Sequence, residues 1–402
     1  MSMMNQWLDQ LSISTADIVK QAINDRRHLH QHPELSFQEF ETSVYIKNRL
    51  NALGIPFQSV ANTGVLGVIA GEKSPSTDII VLRADIDALP IEEKNTVDYS
   101  SVHTGVMHAC GHDFHTANLL GIATVLQALK STFSGKILLL FQPAEEKIPG
   151  GAIQVLASGI LESFGGSIKA VLGLHVSPRL ELGKIGICPG RFMASSDEFY
   201  IRIKGRGGHA AEPHRAVDPI MIAVQLLTTL QQIVSRKADP NIPSVLTFGR
   251  FEGKGAANVI PDEVILEGTF RTMDESWRTE ALQQIERVIN TLPASLGAST
   301  ELEIRRGYPT LYNDPELAAK SREILRQLIG ANNVEEIGIW MAAEDFAYYS
   351  HRYPSLFVLL GTDNGEVETQ FGLHNAQFNL DEQALETSIS ALVNLTMEML
   401  NS

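Results

Sequence analysis

Cysteine is scarce in this chain of 402 residues, which contains only Cys110 and Cys188. Two cysteines are too few for the disulfide framework of a secreted scaffold, and a reducing compartment suits them better. The first residues, MSMMNQWLDQ, also lack the basic segment and the apolar core of a signal peptide. We therefore expect a cytoplasmic protein.

Basic clusters and long apolar runs are missing as well. The chain has 47 acidic and 32 basic residues, a formal net charge of −15, and no run rich in lysine and arginine. A protein that reads nucleic acid normally carries a basic patch. No apolar stretch approaches the roughly 18 residues that a membrane-spanning helix needs. We therefore expect neither a nucleic-acid partner nor a membrane partner.

The chain is long enough for two domains, because a single hydrophobic core stops growing at roughly 250 to 300 residues. Short apolar runs are typical of buried strands in a mostly parallel sheet, and helical patterns lie between them. The runs lie at 64–71, 78–90, 136–146 and 170–176, and the helical patterns at 115–131 and 150–163. This alternation indicates an α/β fold.

From about residue 191 the pattern changes to strands with one wet and one dry face, as in DEFYIRIKG. The order strand, helix, strand, strand, helix, strand predicts a ferredoxin-like α+β domain, with two helices on an antiparallel sheet. The buried-strand pattern returns after Pro309 with the run SLFVLLG. We therefore predict that residues 1–190 and 308–402 form one domain and that residues 191–307 form a second domain inserted into it.

The segment MHACGHDFHTA places Cys110 two residues before His112. Thiolate and imidazole are ligands that a zinc-like divalent ion prefers, and both can reach one centre when the backbone turns just ahead of a helix. A lone C-x-H also arises by chance, so a buried cysteine beside surface histidines remains an alternative at this point.

The segment QPAEE places Glu145 and Glu146 at the carboxyl end of a predicted strand, where α/β sheets bind their ligands. One carboxylate can hold a metal ion while the other moves a proton, because consecutive side chains point in opposite directions. Adjacent carboxylates are also common in solvated loops, and the pair alone does not decide between these interpretations.

Further candidates follow other apolar runs. His175 ends the run LGLHV, and Asp85 and Asp87 in RADIDALP end another, where a carboxylate can orient a ligand imidazole. His374 in FGLHNAQF lies far along the chain, as one ligand of a site assembled from distant segments would.

Together the motifs resemble the M20 metallopeptidase family, in particular its amidohydrolase branch, which includes hippurate hydrolases and plant auxin-conjugate hydrolases. The similarity covers nearly the whole chain. The segments that carry it, in the order found in the family, are RRHLHQHPELSFQEFET, RADIDALP, HACGHDFHTA, FQPAEE, LGLHV, GRGGHAAEPHRAVDP, NVIPDEV, GTFRT, AAEDFAYY and LHNAQF.

The resemblance implies two divalent metal ions per subunit, Zn²⁺ or Mn²⁺, with Co²⁺ or Ni²⁺ also possible. Cys110 corresponds to the bridging ligand between them. His112 and His175 would complete the ligands of one ion, and Glu146 with His374 those of the other. This assignment leaves His108 and His115 outside the ligand set and keeps Asp87 and Asp113 as partners that orient the ligands.

The resemblance also implies an activity. Glu145 corresponds to the general base of an amide hydrolysis in which water attacks. His209 corresponds to a histidine that reaches the opposite subunit of a homodimer, formed through the inserted lid domain, and polarises the scissile carbonyl. Asn258 and Arg271 correspond to positions that hold the carboxylate of the substrate.

The predicted reaction splits a small N-acyl amino acid into a carboxylic acid and a free amino acid. The alternatives are a dipeptidase or aminoacylase-type peptidase of the same fold, a cysteine hydrolase with Cys110 as nucleophile, and a metal-binding relative without turnover. One segment departs from the family, because Lys147, Ile148 and Pro149 replace a glycine-rich stretch after PAEE. This departure leaves the shape of the acyl pocket, and hence the acyl specificity, open. The sequence also leaves open the amino-acid side chain and the identity of the metals.

Overall fold

The computed structural model describes residues 14–366 and 369–401. They divide into two compact units. The large unit comprises the described residues of Met1–Gly190, Tyr312–Gly338 and Asp345–Ser402, and the inserted unit comprises Arg191–Leu311 and Ile339–Glu344. No helix in the described part of the chain combines the length and the apolar character needed to cross a membrane.

Capping side chains and prolines mark several of the helix ends. Ser14 caps the first helix by accepting a hydrogen bond from the Asp17 amide, and this helix ends before Pro33, as predicted. Asp218 caps the helix that starts at Pro219. The helices are α1 (Thr15–Gln31), α2 (Phe40–Ala52), α3 (His112–Ala128), α4 (Ala152–Ala157), α5 (Ile160–Ser163), α6 (Pro219–Gln232), α7 (Glu275–Ser295), α8 (Pro315–Ile329), α9 (Ala347–Ser350) and α10 (Ala384–Leu400).

The predicted apolar runs at 64–71, 78–90, 136–146 and 170–176 each correspond to a strand, with ends that differ by a few residues, whereas several short strands were not predicted. They are β1 (Phe57–Val60), β2 (Gly64–Ala70), β3 (Asp78–Asp85), β4 (Lys136–Gln142), β5 (Ser167–Glu181), β6 (Ile185–Ile187), β7 (Gly190–Met193), β8 (Asp197–Lys204), β9 (Gly208–His209), β10 (Ser244–Glu252), β11 (Val259–Ile260), β12 (Glu263–Thr272), β13 (Ser299–Arg306), β14 (Leu311–Asn313), β15 (Val334–Glu336) and β16 (Ser355–Asp363).

The large unit is built on a mixed sheet of eight strands in the order β1-β2-β4-β3-β5-β16-β6-β15. The pairs β3–β4, β3–β5, β5–β16 and β6–β15 are parallel, and the remaining pairs are antiparallel. Strands β3 and β4 are buried along almost their whole length, so both faces of the sheet are covered. This confirms the predicted α/β class.

The inserted unit has a sheet of four antiparallel strands in the order β10-β12-β8-β13. The four strands of this sheet and the two long helices follow one another in the order β8, α6, β10, β12, α7, β13, which is the predicted ferredoxin-like arrangement. In β8 buried and partly exposed residues alternate, as the DEFYIRIKG pattern predicted. Its buried side chains pack with α6 and α7 in a separate core.

Candidate metal centre

The centre lies where two parallel strands of the large unit end. Asp85, the last residue of β3, is paired in register with Gln142, the last residue of β4. Glu145 and Glu146 follow three and four residues after Gln142 in the same loop. The carboxyl ends of neighbouring parallel strands thus bring these carboxylates to one edge of the sheet.

A tight turn presents Cys110 and His112 to the same edge. Gly111 has φ 84°, which glycine adopts without strain, and α3 begins directly after it at His112. A Cβ atom at this position would lie 2.5 Å from Val176 Cγ2, so a larger residue does not fit. Helix α3 begins at His112, three residues earlier than the pattern at 115–131 predicted.

His175 reaches the site from within a strand, which corrects the prediction that it lies at a strand's end. Strand β5 continues six residues beyond it to Glu181, and His175 is paired with Leu359 of β16. The apolar run ends shortly after His175, but hydrogen bonding to β16 extends the strand. Periodicity alone did not reveal this extension.

The predicted ligands form two groups that share Cys110. Possible ligand atoms of Cys110, His112 and His175 lie within 4.8 Å of one another, and so do those of Cys110, Glu146 and His374. The Sγ atom of Cys110 is 3.4 Å from His175 Nε2, and His374 Nε2 is 3.3 Å from Glu146 Oε1. A thiolate common to two ligand groups can serve as a ligand to an ion in each group.

The hydrogen bonds around the ligands leave the right atoms available. His175 Nδ1 lies 2.7 Å from the Val176 carbonyl oxygen and His112 Nδ1 lies 3.0 Å from the Asp87 carbonyl oxygen, so both donate through Nδ1 and turn Nε2 towards the cluster. Within the described residues, His112 Nε2 is buried without a hydrogen-bond partner. Buried polar atoms without a partner are costly unless an ion satisfies them. The thiol, imidazole and carboxylate set fits a divalent transition-metal ion.

The charges of the site also favour a cation. Burial disfavours the protonated imidazole of His112, but the carboxylates of Asp85 and Asp87 outweigh burial and raise its pKa to about 10. Burial, together with the nearby carboxylates of Glu146 and Glu145, raises the pKa of the Cys110 thiol well above its usual value. A cysteine nucleophile needs a lowered pKa, so these surroundings argue against the cysteine hydrolase.

Glu145 is placed beside the ligands. Its side chain is buried, with 6% of the residue exposed, and a carboxylate oxygen lies within 4.8 Å of the ligand atoms of His112 and Glu146. At this distance a carboxylate can exchange a proton with a group held between the ligands.

The two predicted orienting aspartates have different surroundings. Asp87 Oδ1 lies 3.2 Å from His112 Nδ1, and Asp87 Oδ2 accepts a hydrogen bond from the Glu146 amide at 3.0 Å. Asp113 instead contacts Arg26 Nε at 2.8 Å and His30 Nδ1 at 2.9 Å. Asp87 thus touches two ligand residues directly, whereas the hydrogen bonds of Asp113 among the described residues anchor α1 to α3.

His108 and His115, the two other histidines of the MHACGHDFHTA segment, were not predicted to be ligands. His115 Nδ1 lies 2.6 Å from Asp85 Oδ1, and His115 Nε2 accepts from the Val176 amide at 3.0 Å. His108 is buried, which lowers its pKa to about 4, and neither ring nitrogen has a hydrogen-bond partner within the described residues.

A buried charge network, which the sequence motifs did not predict, lies behind the ligands. Arg83 donates to Asp85 at 2.5 Å, to Asp345 at 2.7 Å and to Gln142 at 3.0 Å. Asp345 also accepts from the amide of Ala152, the first residue of α4, at 3.0 Å. One signal was present, because an arginine within a buried strand must find charged partners.

The remaining predicted site residues lie in the inserted unit. His209 of β9 and Asn258 are close together, because Val259 of β11 is paired with His209 and the Asn258 carbonyl accepts from the Ala210 amide at 3.0 Å. Arg271 lies on β12, where it donates to the Met341 carbonyl at 3.2 Å and where burial lowers its pKa.

Comparison with known proteins gives the same family as the motifs. The model of Peptidase family M20/M25/M40 matches residues 81–398. An N-acetyl-L-cysteine deacetylase of Bacillus subtilis is 42% identical over 93% of this chain and 86% of its own length, and an N-acyl-L-amino acid amidohydrolase of Geobacillus stearothermophilus is 44% identical over 72% and 77%. The crystal structure of a Bacillus subtilis dinuclear metal-binding peptidase of family M20 superposes with a TM-score of 0.79 at 35% identity, covering 96% of this chain and 99% of that chain. The chain belongs to peptidase family M20.

Proposed function

We propose that the protein is a metal-dependent amidohydrolase that cleaves small N-acyl amino acids into a carboxylic acid and a free amino acid. The observation that carries this proposal is the pair of ligand groups joined at Cys110, with the carboxylate of Glu145 beside them. The relatives named for deacetylation and for N-acyl amino acid hydrolysis support it.

Two divalent ions fit the site. Cys110 would be shared, His112 and His175 would hold one ion, and Glu146 and His374 the other. When bound, such ions lower the pKa of water from 15.7 to about 7 and polarise a carbonyl group. We propose Zn²⁺ or Mn²⁺, because thiolate favours zinc, with Co²⁺ or Ni²⁺ as further possibilities.

Glu145 supplies the acid and base chemistry. Its carboxylate would take a proton from the attacking water and then deliver it to the nitrogen of the leaving amine. Because it is almost fully buried, bulk water does not compete strongly for that proton. Amine departure without this proton would be slow, since an amide anion is a poor leaving group.

The inserted unit would bind the rest of the substrate. We propose that Asn258 and Arg271 hold the carboxylate of the amino acid and that His209 contacts the scissile carbonyl of the opposite subunit in a homodimer. The family resemblance supports these roles.

We also propose a cytoplasmic location, which the two free thiols of Cys110 and Cys188 support.

The test uses purified protein and four groups of substrates: acetyl, benzoyl and indoleacetyl amino acids, and dipeptides. The expected result is release of free amino acid from the acyl derivatives, loss of activity in a chelator, and recovery with Zn²⁺ or Mn²⁺. Glu145→Gln should retain both metals and lose turnover by about 10²-fold or more, the usual scale of general base catalysis.

Each contrary outcome has a meaning. Cleavage of dipeptides alone would replace the amidohydrolase with a peptidase of the same fold. Activity that survives metal removal would contradict the metal mechanism. A metal-loaded protein that releases no amine from any group would be a binding protein without turnover.

A further inference from the structure

The segment Ser36–Glu39, within the motif HPELSFQEFET, has no role in the proposed chemistry, yet it contacts the loop that carries Glu145. Two residues here adopt the left-handed backbone region without being glycine: Phe37 has φ 69° and Ala144 has φ 53°. A residue with a Cβ atom rarely occupies this region unless its surroundings hold it there. Ala144 directly precedes Glu145.

Glu39 holds both of these residues with one carboxylate oxygen. Its Oε1 atom accepts from the Ala144 amide at 2.8 Å and from the Phe37 amide at 3.0 Å. Its Oε2 atom accepts from the Thr63 hydroxyl at 2.6 Å. The residue is fully buried, so water does not offer these donors an alternative partner.

The loop is fixed on both sides of Glu145. The Ala144 amide is bound by Glu39, and the Glu146 amide is bound by Asp87 Oδ2 at 3.0 Å. The Ala144 carbonyl accepts from the Gly151 amide at 3.0 Å, which closes the loop. Hydrogen bonds thus hold the backbone immediately before and after Glu145.

We propose that Glu39 is a positioning residue for the general base: it keeps Ala144 in the left-handed region and thereby aims Glu145 at the ligand groups. This inference rests on the proposed function, because it assigns Glu145 as the base. Within the described residues, the carboxylate of Glu39 accepts hydrogen bonds from Phe37, Thr63 and Ala144, none of which is a predicted ligand.

Three substitutions separate this role from simple packing. Glu39→Ala removes the acceptor, and we expect kcat to fall about 10²-fold, the effect of misplacing a catalytic group by about 1 Å. Glu39→Gln keeps an oxygen for the two amides and offers an NH₂ group to the Thr63 oxygen, so most of the lost kcat should return. Adding Ala144→Gly to Glu39→Ala should recover about tenfold, because glycine enters the left-handed region at no steric cost.

The readouts are kcat, KM, metal content and melting temperature of the full-length, metal-loaded protein. We expect kcat to fall while KM stays within about twofold and metal content is unchanged. Glu41→Ala, at an exposed position in the helix α2 that follows Glu39, is the matched control and should leave all four values as in the wild type. If Glu39→Ala does not fold, Glu39→Asp, whose shorter side chain cannot reach all three donors, should give about a tenfold fall in kcat.

A crystal structure of Glu39→Ala distinguishes failure of this inference from failure of the proposed function. The inference predicts that Ala144 leaves the left-handed region and that the Glu145 carboxylate moves, whether or not the wild type hydrolyses any substrate tested. It is overturned if Ala144 and Glu145 keep their positions in Glu39→Ala. It is also overturned if the wild type is active but adding Ala144→Gly to Glu39→Ala recovers no activity. A wild-type protein without activity would overturn only the proposed function.

Discussion

Replacing Asp87 by asparagine tests whether the support of the ligands determines metal affinity. Asp87 Oδ1 faces His112 Nδ1, and Oδ2 accepts from both the Glu146 amide and the Ser36 hydroxyl. An asparagine side chain has one oxygen and one NH₂ group. Whichever way it turns, the NH₂ group faces an N–H donor, either that of His112 or that of Glu146.

The size of the effect follows from these contacts. Burial disfavours the charge on Asp87, but the hydrogen bond and the charge of His112 outweigh burial and lower the pKa of Asp87 below its usual value. The side chain of Asp87 is therefore a carboxylate. The substitution removes that charge and one hydrogen bond to a ligand residue. Loss of such a partner typically costs 10- to 100-fold in metal affinity or activity, about 1.4 to 2.7 kcal/mol. We expect Asp87→Asn to weaken metal binding within this range.

The assay is a competition titration with a chromogenic chelator, which gives the Kd of each ion. Asp113→Asn is the matched control, because Asp113 is equally buried but its carboxylate contacts Arg26 and His30. We expect this control to lower the melting temperature, since Arg26 loses a charged partner, and to leave the metal Kd within about twofold.

Either of two results would contradict the proposed effect of Asp87 on metal affinity. Unchanged metal affinity in Asp87→Asn would mean that the bond from His112 to the Asp87 backbone carbonyl is sufficient to orient the imidazole. Equal losses of metal affinity in both variants would mean that the effect comes from general destabilisation and not from contact with the ligands.

Two further predictions concern Cys110 and the buried residue His30. Cys110→Ser should lower metal content and activity together, because a neutral hydroxyl replaces the thiolate shared by both ligand groups. Metal content is measured by atomic emission. A variant with full metal content but no activity would point to nucleophilic catalysis. Burial disfavours protonation of His30, but the carboxylates of Asp113 and Glu93 outweigh burial and raise its pKa. Its stabilising contribution should be complete below about pH 6.5, the ordinary histidine value, and should be lost as the pH rises through the raised pKa. Urea unfolding of the wild type and of His30→Gln across this range should therefore show a stability difference that shrinks with pH, and a constant difference would contradict the assignment.

The architecture could be predicted from the sequence because its signals are local. Buried strands read as continuous apolar runs, and the ferredoxin-like unit reads as alternation followed by helical periodicity. The position of Glu145 and Glu146 at a strand's carboxyl end followed from the same reasoning. The extent of β5 did not, because its last residues are strand through pairing with β16 and not through an apolar pattern.

The support of the site could be predicted only in part. Ser36 and Glu39 bind Asp87 and Ala144, which lie 51 and 105 residues away in the chain, and no local pattern links such positions. In the sequence, their segment is recognisable only as part of the family motif HPELSFQEFET. Its chemistry became interpretable once the structure showed which backbone amides its carboxylate accepts from.

The segment RADID nevertheless carries a further signal about the interior of the fold. Arg83, Asp85 and Asp87 recur at every second position, and Arg83 and Asp85 end a strand that is buried along almost its whole length. Side chains two apart in a strand share a face, so ionisable groups at this spacing predict a charged cluster inside the fold and not a wet surface. Arg83 then requires a second anion, which is Asp345, 262 residues later in the motif AAEDFAYY. The same aspartate binds the amide of Ala152, where α4 begins after the loop of Glu145 and Glu146. A charged residue inside a buried strand therefore indicates which other motifs must come together behind the ligands, even where it does not itself touch the metal centre.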